Sequence, residues 1–279
     1  MFNELHTLIE RPEPFSINTR AQLWTTPYIA NNMLEVHLNP HVNAASRKKT
    51  FLTRSTQFIT ERFGLDQNTS VIDFGCGPGL YTQEFAKTGA DVTGLDFSAT
   101  SLAYGKNKAI QENLKINYIQ TDYLKFKATR KYDLATLIYC DYGAIAYDDR
   151  KKLLEVMKDS LKENGRLILD VDSMARFQTK EEAGYFGYSA EPSFLSEEAS
   201  FQFNKTYRYE DVLVFLEHIT IVTKLKTEHI YNWMQCFTKE SLEEELRNNG
   251  FMIESCYSNI AGDPYTDTSE EIAVVCRKI

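Results

Sequence analysis

The stretch that most constrains this chain is residues 71–79, which read Val-Ile-Asp-Phe-Gly-Cys-Gly-Pro-Gly. The short apolar run at 70–74 is typical of a buried parallel strand, and a helical pattern begins at Leu80. A strand, a glycine turn and a helix form a ligand-binding elbow at the carboxyl edge of a doubly wound sheet. Glycine is expected in the turn because a side chain would keep a ligand away from the backbone amides.

Strands and helices alternate on both sides of this elbow. The predicted strands are 70–74, 91–96, 117–120, 132–139, 166–171, 251–257 and 271–277, and the predicted helices are 28–38, 44–63, 79–88, 98–113, 148–162 and 238–248. Such alternation predicts parallel βαβ units, and hence an α/β fold with a doubly wound, seven-stranded, mostly parallel sheet.

The pattern changes between the fifth and sixth predicted strands. Residues 173–198 look irregular and polar, and three segments of alternating β character follow at 199–209, 212–223 and 227–237. The alternation is typical of a half-exposed antiparallel sheet. We therefore predict an N-terminal helical cap at 1–43, a main domain at 44–172 and 238–279, and an inserted antiparallel sheet at 173–237 that covers the substrate site.

Composition narrows the function class. The chain has 279 residues and a net charge of −8. This charge disfavours binding to nucleic acid, because a protein that binds nucleic acid needs a basic face. No apolar run reaches the roughly 18 residues of a membrane span, and the first residues lack a signal-peptide pattern. The five cysteines show no Cys-x-x-Cys pair and no metal spacing with histidine. We expect a cytoplasmic protein with no membrane or metal; a homodimer stays open.

Two classes of ligand use an elbow of this kind. Dinucleotide folds need Gly-x-Gly-x-x-Gly, whereas position 80 here is leucine. The chain instead resembles the class I S-adenosylmethionine-dependent methyltransferases, whose first motif is an acidic residue followed by Gly-x-Gly-x-Gly, matched by Asp73, Gly75, Gly77 and Gly79. The resemblance covers residues 44–279. It implies the Rossmann-like methyltransferase fold and S-adenosylmethionine as cofactor.

Acidic residues follow the next two strands. Asp96 can accept both ribose hydroxyls of an adenosyl group, although it also suits a helix N-cap. The resemblance implies that Asp122 accepts from the adenine amino group, the alternative being an ordinary loop aspartate. Phe97 and Tyr123 are expected to flank the ring or to pack in the core.

The methionyl portion of the cofactor is assigned to the other side of the turn. The resemblance implies that Asp73 lies near its positive charges, and that the backbone around Gly75, Cys76 and Cys140 approaches it.

The helix before the sheet supplies two further candidates. Residues 45–51 are similar to a helix of glycine and sarcosine N-methyltransferases in which an arginine reaches the cofactor carboxylate. This implies such a role for Arg47, unless it is a solvated arginine at a helix start. Tyr28, with Trp24 and His37, is expected at the cofactor entrance or in packing of the cap.

The acceptor side is assigned to the end of strand four and the inserted sheet. Asp141 and Tyr142 can orient or deprotonate a nucleophile, although Asp141 also suits a hydrogen-bonded turn. The Asn/Asp-Pro-Pro-Tyr/Phe sequence of methyltransferases that act on nucleic-acid or protein amino groups is absent. The insertion looks like the substrate-covering sheets of sugar-amine and glycine-type methyltransferases. Its candidate pocket residues are Tyr207, His229, Tyr231 and Trp233, which also suit a packed face or a dimer contact.

We therefore predict an S-adenosylmethionine-dependent methyltransferase acting on a nitrogen or oxygen of a small molecule. Two alternatives stay open. A non-catalytic S-adenosylmethionine-binding protein would have the same motifs. An NAD-dependent oxidoreductase would share Asp96, but the glycine spacing and the lack of a Tyr-x-x-x-Lys sequence argue against the common short-chain type.

Overall fold

The computed structural model describes residues 2–8 and 10–279. The helices within them are α1 (Phe2–Thr7), α2 (Gln22–Thr25), α3 (Pro27–Leu38), α4 (Lys49–Phe63), α5 (Leu80–Lys87), α6 (Ala99–Gln111), α7 (Tyr147–Ser160), α8 (Met174–Thr179) and α9 (Lys239–Asn248). The strands are β1 (Ser70–Phe74), β2 (Asp91–Asp96), β3 (Ile116–Gln120), β4 (Tyr132–Leu137), β5 (Leu161–Asp172), β6 (Gly184–Ser189), β7 (Ser200–Tyr209), β8 (Val214–Val222), β9 (Thr227–Gln235), β10 (Phe251–Tyr257) and β11 (Glu271–Lys278). Among these helices, none combines the length and the apolar character needed to cross a membrane.

Seven strands form the central sheet, in the order β10-β11-β5-β4-β1-β2-β3. The pairs among β1 to β5 are parallel, and β11 runs antiparallel to both of its neighbours. The predicted seven-stranded, mostly parallel sheet is confirmed. The chain passes from β1 to β2 on one side and later returns to β4 on the other, so the carboxyl end of β1 lies at the switch point where such sheets bind ligands.

Strand β1 is buried on both faces of the sheet. Val71 packs with Phe85 and Val92 on one face, and Ile72 contributes to the core on the opposite face. Consecutive side chains of a strand point to opposite faces, so a nearly continuous apolar run is what a central parallel strand requires. The glycine turn therefore projects from one of the most rigid parts of the molecule.

The inserted sheet has four strands, in the antiparallel order β6-β7-β8-β9. Three were predicted, but the prediction that residues 173–198 are irregular is wrong because α8 and β6 lie there. Strand β6 reads Gly-Tyr-Phe-Gly-Tyr-Ser and is exposed along most of its length. Its glycines and its edge position remove the alternation that marks a half-buried strand.

The N-terminal segment, residues 10–26, lies against the inserted sheet. The Trp233 indole N–H donates to the Ile17 carbonyl oxygen over 2.8 Å, and the Phe15 ring stacks on the same indole with centroids 5.4 Å apart. Tyr209 donates from its hydroxyl to the Pro12 carbonyl oxygen over 2.6 Å. These contacts hold the segment over the carboxyl edge of the central sheet. The predicted domain boundaries stay a prediction.

Candidate active site

The glycine turn is built by hydrogen bonds from β1 to the end of β2. The amides of Gly75 and Cys76 donate to the Leu95 carbonyl oxygen over 2.8 and 2.9 Å, and the Gly77 amide donates to Asp96 Oδ2 over 2.9 Å. Glycine is required most clearly at Gly79, where φ is +86° and an added Cβ would lie 2.1 Å from the Tyr118 hydroxyl oxygen.

Two buried carboxylates lie beside this turn. Asp96 Oδ1 also accepts from the Ser98 amide over 2.7 Å, and burial raises the pKa of Asp96 to about 6. Asp73 accepts from the Thr136 hydroxyl over 2.5 Å, and burial raises its pKa to about 7. Burial disfavours the charged form of each acid, so a ligand that offers hydroxyl donors or positive charge would favour the ionised forms.

Two small cavities open at the turn. The glycine-turn cavity, of about 100 Å³, is lined by Gly75, Gly77, Asp96, Phe97, Ser101, Tyr123, Trp24, His37, Ala45, Ile138, Tyr139 and Asp141. The Arg47 cavity, of about 50 Å³, is lined by Asp73, Cys76, Arg47, Tyr81, Leu80, Pro78, Ser46 and residues shared with the first. Eight of the twelve predicted cofactor residues thus line one or both cavities; their binding roles stay predictions.

Four predicted cofactor residues do not line these cavities. Gly79 is the N-cap of α5, Cys140 lies in the turn after β4, and Asp122 accepts from the Leu124 amide over 3.0 Å at the start of a short 3₁₀ helix. The prediction that Tyr28 of α3 lies at the cofactor entrance is corrected, because Tyr28 lines neither cavity. Its hydroxyl donates to the Ser193 carbonyl oxygen over 2.7 Å, because this part of the helix packs against the insertion.

Arg47 is held by two acidic side chains. Its Nη1 and Nη2 donate to the Glu271 carboxylate over 2.7 and 2.8 Å, and Nη2 lies 3.3 Å from Asp170 Oδ2. Its Nε is buried and has no hydrogen-bond partner within the described residues. Cys140, Asp170 and Glu271 converge as metal ligands could, but the guanidinium already places a positive charge among them. The unpaired Nε fits a ligand carboxylate; the expectation of no metal stays a prediction.

The turn after β4 is strained. Tyr139 and Cys140 have φ of +84° and +58°, a left-handed conformation that non-glycine residues rarely adopt. Asp170 Oδ1 stabilises it by accepting from both amides over 2.7 and 3.1 Å. This turn ends β4 at Leu137, two residues before the predicted end, and directs Asp141 toward the cavities. Sequence reasoning missed Asp170, whose signal was an acidic residue inside an apolar strand.

Arg20 reaches this site from the N-terminal segment. The Tyr123 hydroxyl accepts from Arg20 and donates to Asp141 Oδ2. The Arg20 guanidinium lies 5.0 and 5.5 Å from the ring centroids of Tyr123 and Phe97, and 3.9 Å from Asp122 Oδ1. Sequence reasoning missed Arg20 because nothing local in an irregular segment distinguishes an arginine that packs into a distant site.

A larger cavity, of about 270 Å³, adjoins the glycine-turn cavity. Trp24, Ala45, Tyr139 and Asp141 line both. Its other walls come mainly from the N-terminal segment, the loop after β4 and strand β9. The remaining lining residues are Phe15, Ile17, Asn18, Thr19, Arg20, Leu23, Met33, Ala44, Leu124, Ala144, Ile145, Ala146, Asp149, Ile230, Tyr231, Asn232, Trp233 and Met234. Of the predicted substrate residues, Tyr231 and Trp233 therefore lie in this wall.

Three acceptor-side predictions are corrected. Tyr142 is fully buried and donates from its hydroxyl to Glu245 over 2.6 Å, so it faces α9 and not the cavities. Tyr207 is buried in an apolar cluster with Leu216 and Trp233. His229 Nδ1 lies 3.1 Å from a ring nitrogen of His218, within the sheet. Tyr142 and Tyr207 form part of the packed core, as the alternative interpretation of aromatic residues allows, whereas His229 is half-buried on the inserted sheet.

Comparison with known proteins agrees with this site. Residues 71–165 match a family model described as a methyltransferase domain. The chain is therefore similar to methyltransferases over this stretch. Its fold resembles that of an S-adenosylmethionine-dependent methyltransferase from Clostridium acetobutylicum, with a TM-score of 0.67 and 18% identity over 89% of this chain and 98% of the other. The CcbJ methyltransferase from Streptomyces caelestis gives a TM-score of 0.66 and 14% identity over 88% and 96%.

The chain also has curated relatives. It is 33% identical over 129 residues to a ubiquinone biosynthesis O-methyltransferase of Coxiella burnetii (strain Dugway 5J108-111), covering 46% of this chain and 49% of that protein. The chain spans about half the length, or less, of the curated relatives that it matches.

Proposed function

We propose that this protein transfers the methyl group of S-adenosylmethionine to a nitrogen or oxygen atom of a small-molecule acceptor. The observation that carries the proposal is the wall shared by the glycine-turn cavity and the larger cavity, where Tyr139 and Asp141 line both. Methyl transfer needs a donor and an acceptor held in line at close range, and two adjoining cavities with a common wall provide that arrangement.

The residues of the smaller cavities fit the parts of the cofactor. Each oxygen of Asp96 accepts one amide hydrogen bond and retains a lone pair for a ribose hydroxyl. The unpaired Arg47 Nε would meet the carboxylate, and Asp73 would face positive charge. When bound, the cofactor supplies a methyl group on a positively charged sulfur, which is a good leaving group. The protein then has mainly to align the acceptor and exclude water.

Calorimetric titration with S-adenosylmethionine tests the proposal. We expect Asp96→Asn to weaken binding by about 10- to 100-fold, because hydrogen bonds to a charged group each contribute roughly 1.5–3 kcal/mol. Asp91→Asn is the matched control, since Asp91 lies at the other end of β2 and pairs with Arg130 on the surface. Equal affinity of wild type and Asp96→Asn, or tight binding of NADH instead, would contradict the assignment.

Turnover needs its own experiment, because a binding protein would pass the first one. The protein is incubated with methyl-labelled cofactor and a metabolite extract, and labelled small molecules are then separated. Label on a new compound supports the enzyme. Tight cofactor binding with no transfer to any extract component would favour the non-catalytic alternative.

Partners and location belong to the same proposal. The five free cysteines suit a reducing compartment, so we place the protein in the cytoplasm. The net charge of −8 argues for a small-molecule partner and against nucleic acid. A homodimer stays a prediction. Its candidate surface is strand β6, where Tyr185, Phe186 and Tyr188 are exposed. Light scattering, which measures the mass of the protein in solution, tests this prediction.

A further inference from the structure

The larger cavity carries information about the acceptor, given the proposed function. Its volume of about 270 Å³ lies just below the range of roughly 300–1,000 Å³ typical of ligand pockets. Five aromatic side chains contribute to its wall: Phe15, Trp24, Tyr139, Tyr231 and Trp233. Such a cavity suits a small molecule, and the negative faces of the rings attract positive charge.

Asp141 supplies the negative charge of this cavity. Its Oδ2 accepts from the neutral Tyr123 hydroxyl, and no lysine, arginine or histidine forms an ion pair with it within the described residues. Its Oδ1 has no hydrogen-bond partner among the same residues. A carboxylate with one committed and one free oxygen, in a wall of aromatic rings, is prepared for a charged donor.

Arg20 supplies the positive charge of the same wall, and it has partners besides the nearby Asp141. Arg20 pairs with Asp122, donates to the Tyr123 hydroxyl and covers two aromatic rings. Asp149 adds a second carboxylate to the cavity, and Lys152 pairs with it over 2.8 Å. Of the three charged residues in the lining, Arg20 and Asp149 have ion-pair partners, whereas Asp141 has none among the described residues, a balance that disfavours an anionic acceptor and favours a cation.

We propose that the acceptor is a small primary or secondary amine, which binds as its ammonium form against Asp141 and the aromatic wall. The ammonium passes one proton to Asp141 Oδ1, while the Tyr123 hydroxyl keeps Oδ2 in place. The freed nitrogen lone pair forms the new N–C bond as the C–S bond breaks, and that bonding pair stays on sulfur. The product leaves as a methylated ammonium, and Asp141 returns its proton to water.

Intrinsic tryptophan fluorescence tests this without knowledge of the natural acceptor. The chain has two tryptophans, Trp24 and Trp233, and both line the larger cavity. The protein, with and without saturating S-adenosylhomocysteine, is titrated at neutral pH with cyclohexylamine, cyclohexanol and cyclohexanecarboxylate, which share one ring and differ in charge. We expect the amine to bind at least about tenfold more tightly than the alcohol, and the carboxylate most weakly. Equal or tighter binding of the alcohol or the carboxylate would overturn the proposal.

Variants then test whether Asp141 causes the preference for the amine. Asp141→Asn should abolish the preference for the amine over the alcohol, Asp141→Glu should retain part of it, and Asp91→Asn should leave it unchanged. Urea denaturation reports whether each variant is folded. An amine preference that persists in Asp141→Asn would overturn the assignment to this carboxylate. If the proposed function is wrong, wild type will not bind S-adenosylhomocysteine. The titration with the three probes in the absence of S-adenosylhomocysteine then still decides whether the cavity prefers an amine.

Discussion

The glycine turn and the larger cavity are constructed in opposite ways. The turn is fixed by backbone hydrogen bonds between neighbouring strands, from Gly75, Cys76 and Gly77 to the end of β2. The cavity is assembled mainly from residues of the N-terminal segment, the loop after β4 and strand β9, which are far apart in sequence. The difference implies that the first region tolerates little change, whereas the second can be altered one side chain at a time.

The largest expected effect tests the rigidity of the turn. Gly79→Ala should lower the free energy of unfolding by about 3 kcal/mol, because left-handed backbone costs roughly 1–2 kcal/mol and the added Cβ overlaps the Tyr118 hydroxyl. Gly64→Ala is the matched control, with φ of +58° and open space around the added carbon, and should cost about 1 kcal/mol. Urea denaturation measures both, and equal losses would show that the turn is not tightly packed.

A second prediction concerns the buried acids of the same region. Burial raises the pKa of Asp73 to about 7, so this group should ionise as the pH rises from 6 to 8. S-adenosylmethionine carries a positive sulfur and S-adenosylhomocysteine does not. The affinity for the first should therefore rise with pH by roughly tenfold more than the affinity for the second. Calorimetry at pH 5.5 and 8 measures this, and Asp73→Asn should remove the difference. Parallel pH profiles in wild type would place Asp73 away from the sulfur.

The raised pKa of Asp73 also makes the stability of the ligand-free protein depend on pH. The pKa of Asp73 is raised above its unfolded value, so between about pH 4 and 7 the native state holds a proton that the unfolded chain has lost. The contribution of Asp73 to the free energy of unfolding is therefore full below about pH 4 and is lost as the pH rises through 7. A cofactor that favours the ionised form should offset this loss, as the free energy of unfolding measured with saturating S-adenosylmethionine would show.

The smallest expected effect lies in the N-terminal segment. Arg20→Gln should weaken S-adenosylmethionine binding by about two- to fivefold, because its guanidinium covers Phe97 and Tyr123 and such contacts contribute roughly 0.5–1 kcal/mol. Arg11→Gln is the matched control, since Arg11 covers Tyr207 and Tyr209 outside the cavities and should change the affinity less than twofold. Equal effects in calorimetry would show that the segment acts only as a cover.

The outcome for individual residues follows the same division. Gly75, Gly77, Asp96, Phe97 and Tyr123 lie around one cavity because parallel strands end at one edge of the sheet, and this follows from strand order alone. Asp141 lies there as well, but the next residue, Tyr142, points into the core. Two non-glycine residues with positive φ precede Asp141, and no sequence pattern predicts such a turn.

The amino-acid sequence by itself determined the central sheet and the glycine turn, because apolar periodicity and glycine spacing act over a few residues and fix local geometry. Only the tertiary structure decided the acceptor side. Arg20 and Tyr123 are 103 positions apart, and Tyr231 is further still from both. Their meeting depends on how the N-terminal segment packs on the inserted sheet, and packing between distant side chains leaves no local pattern in a single sequence.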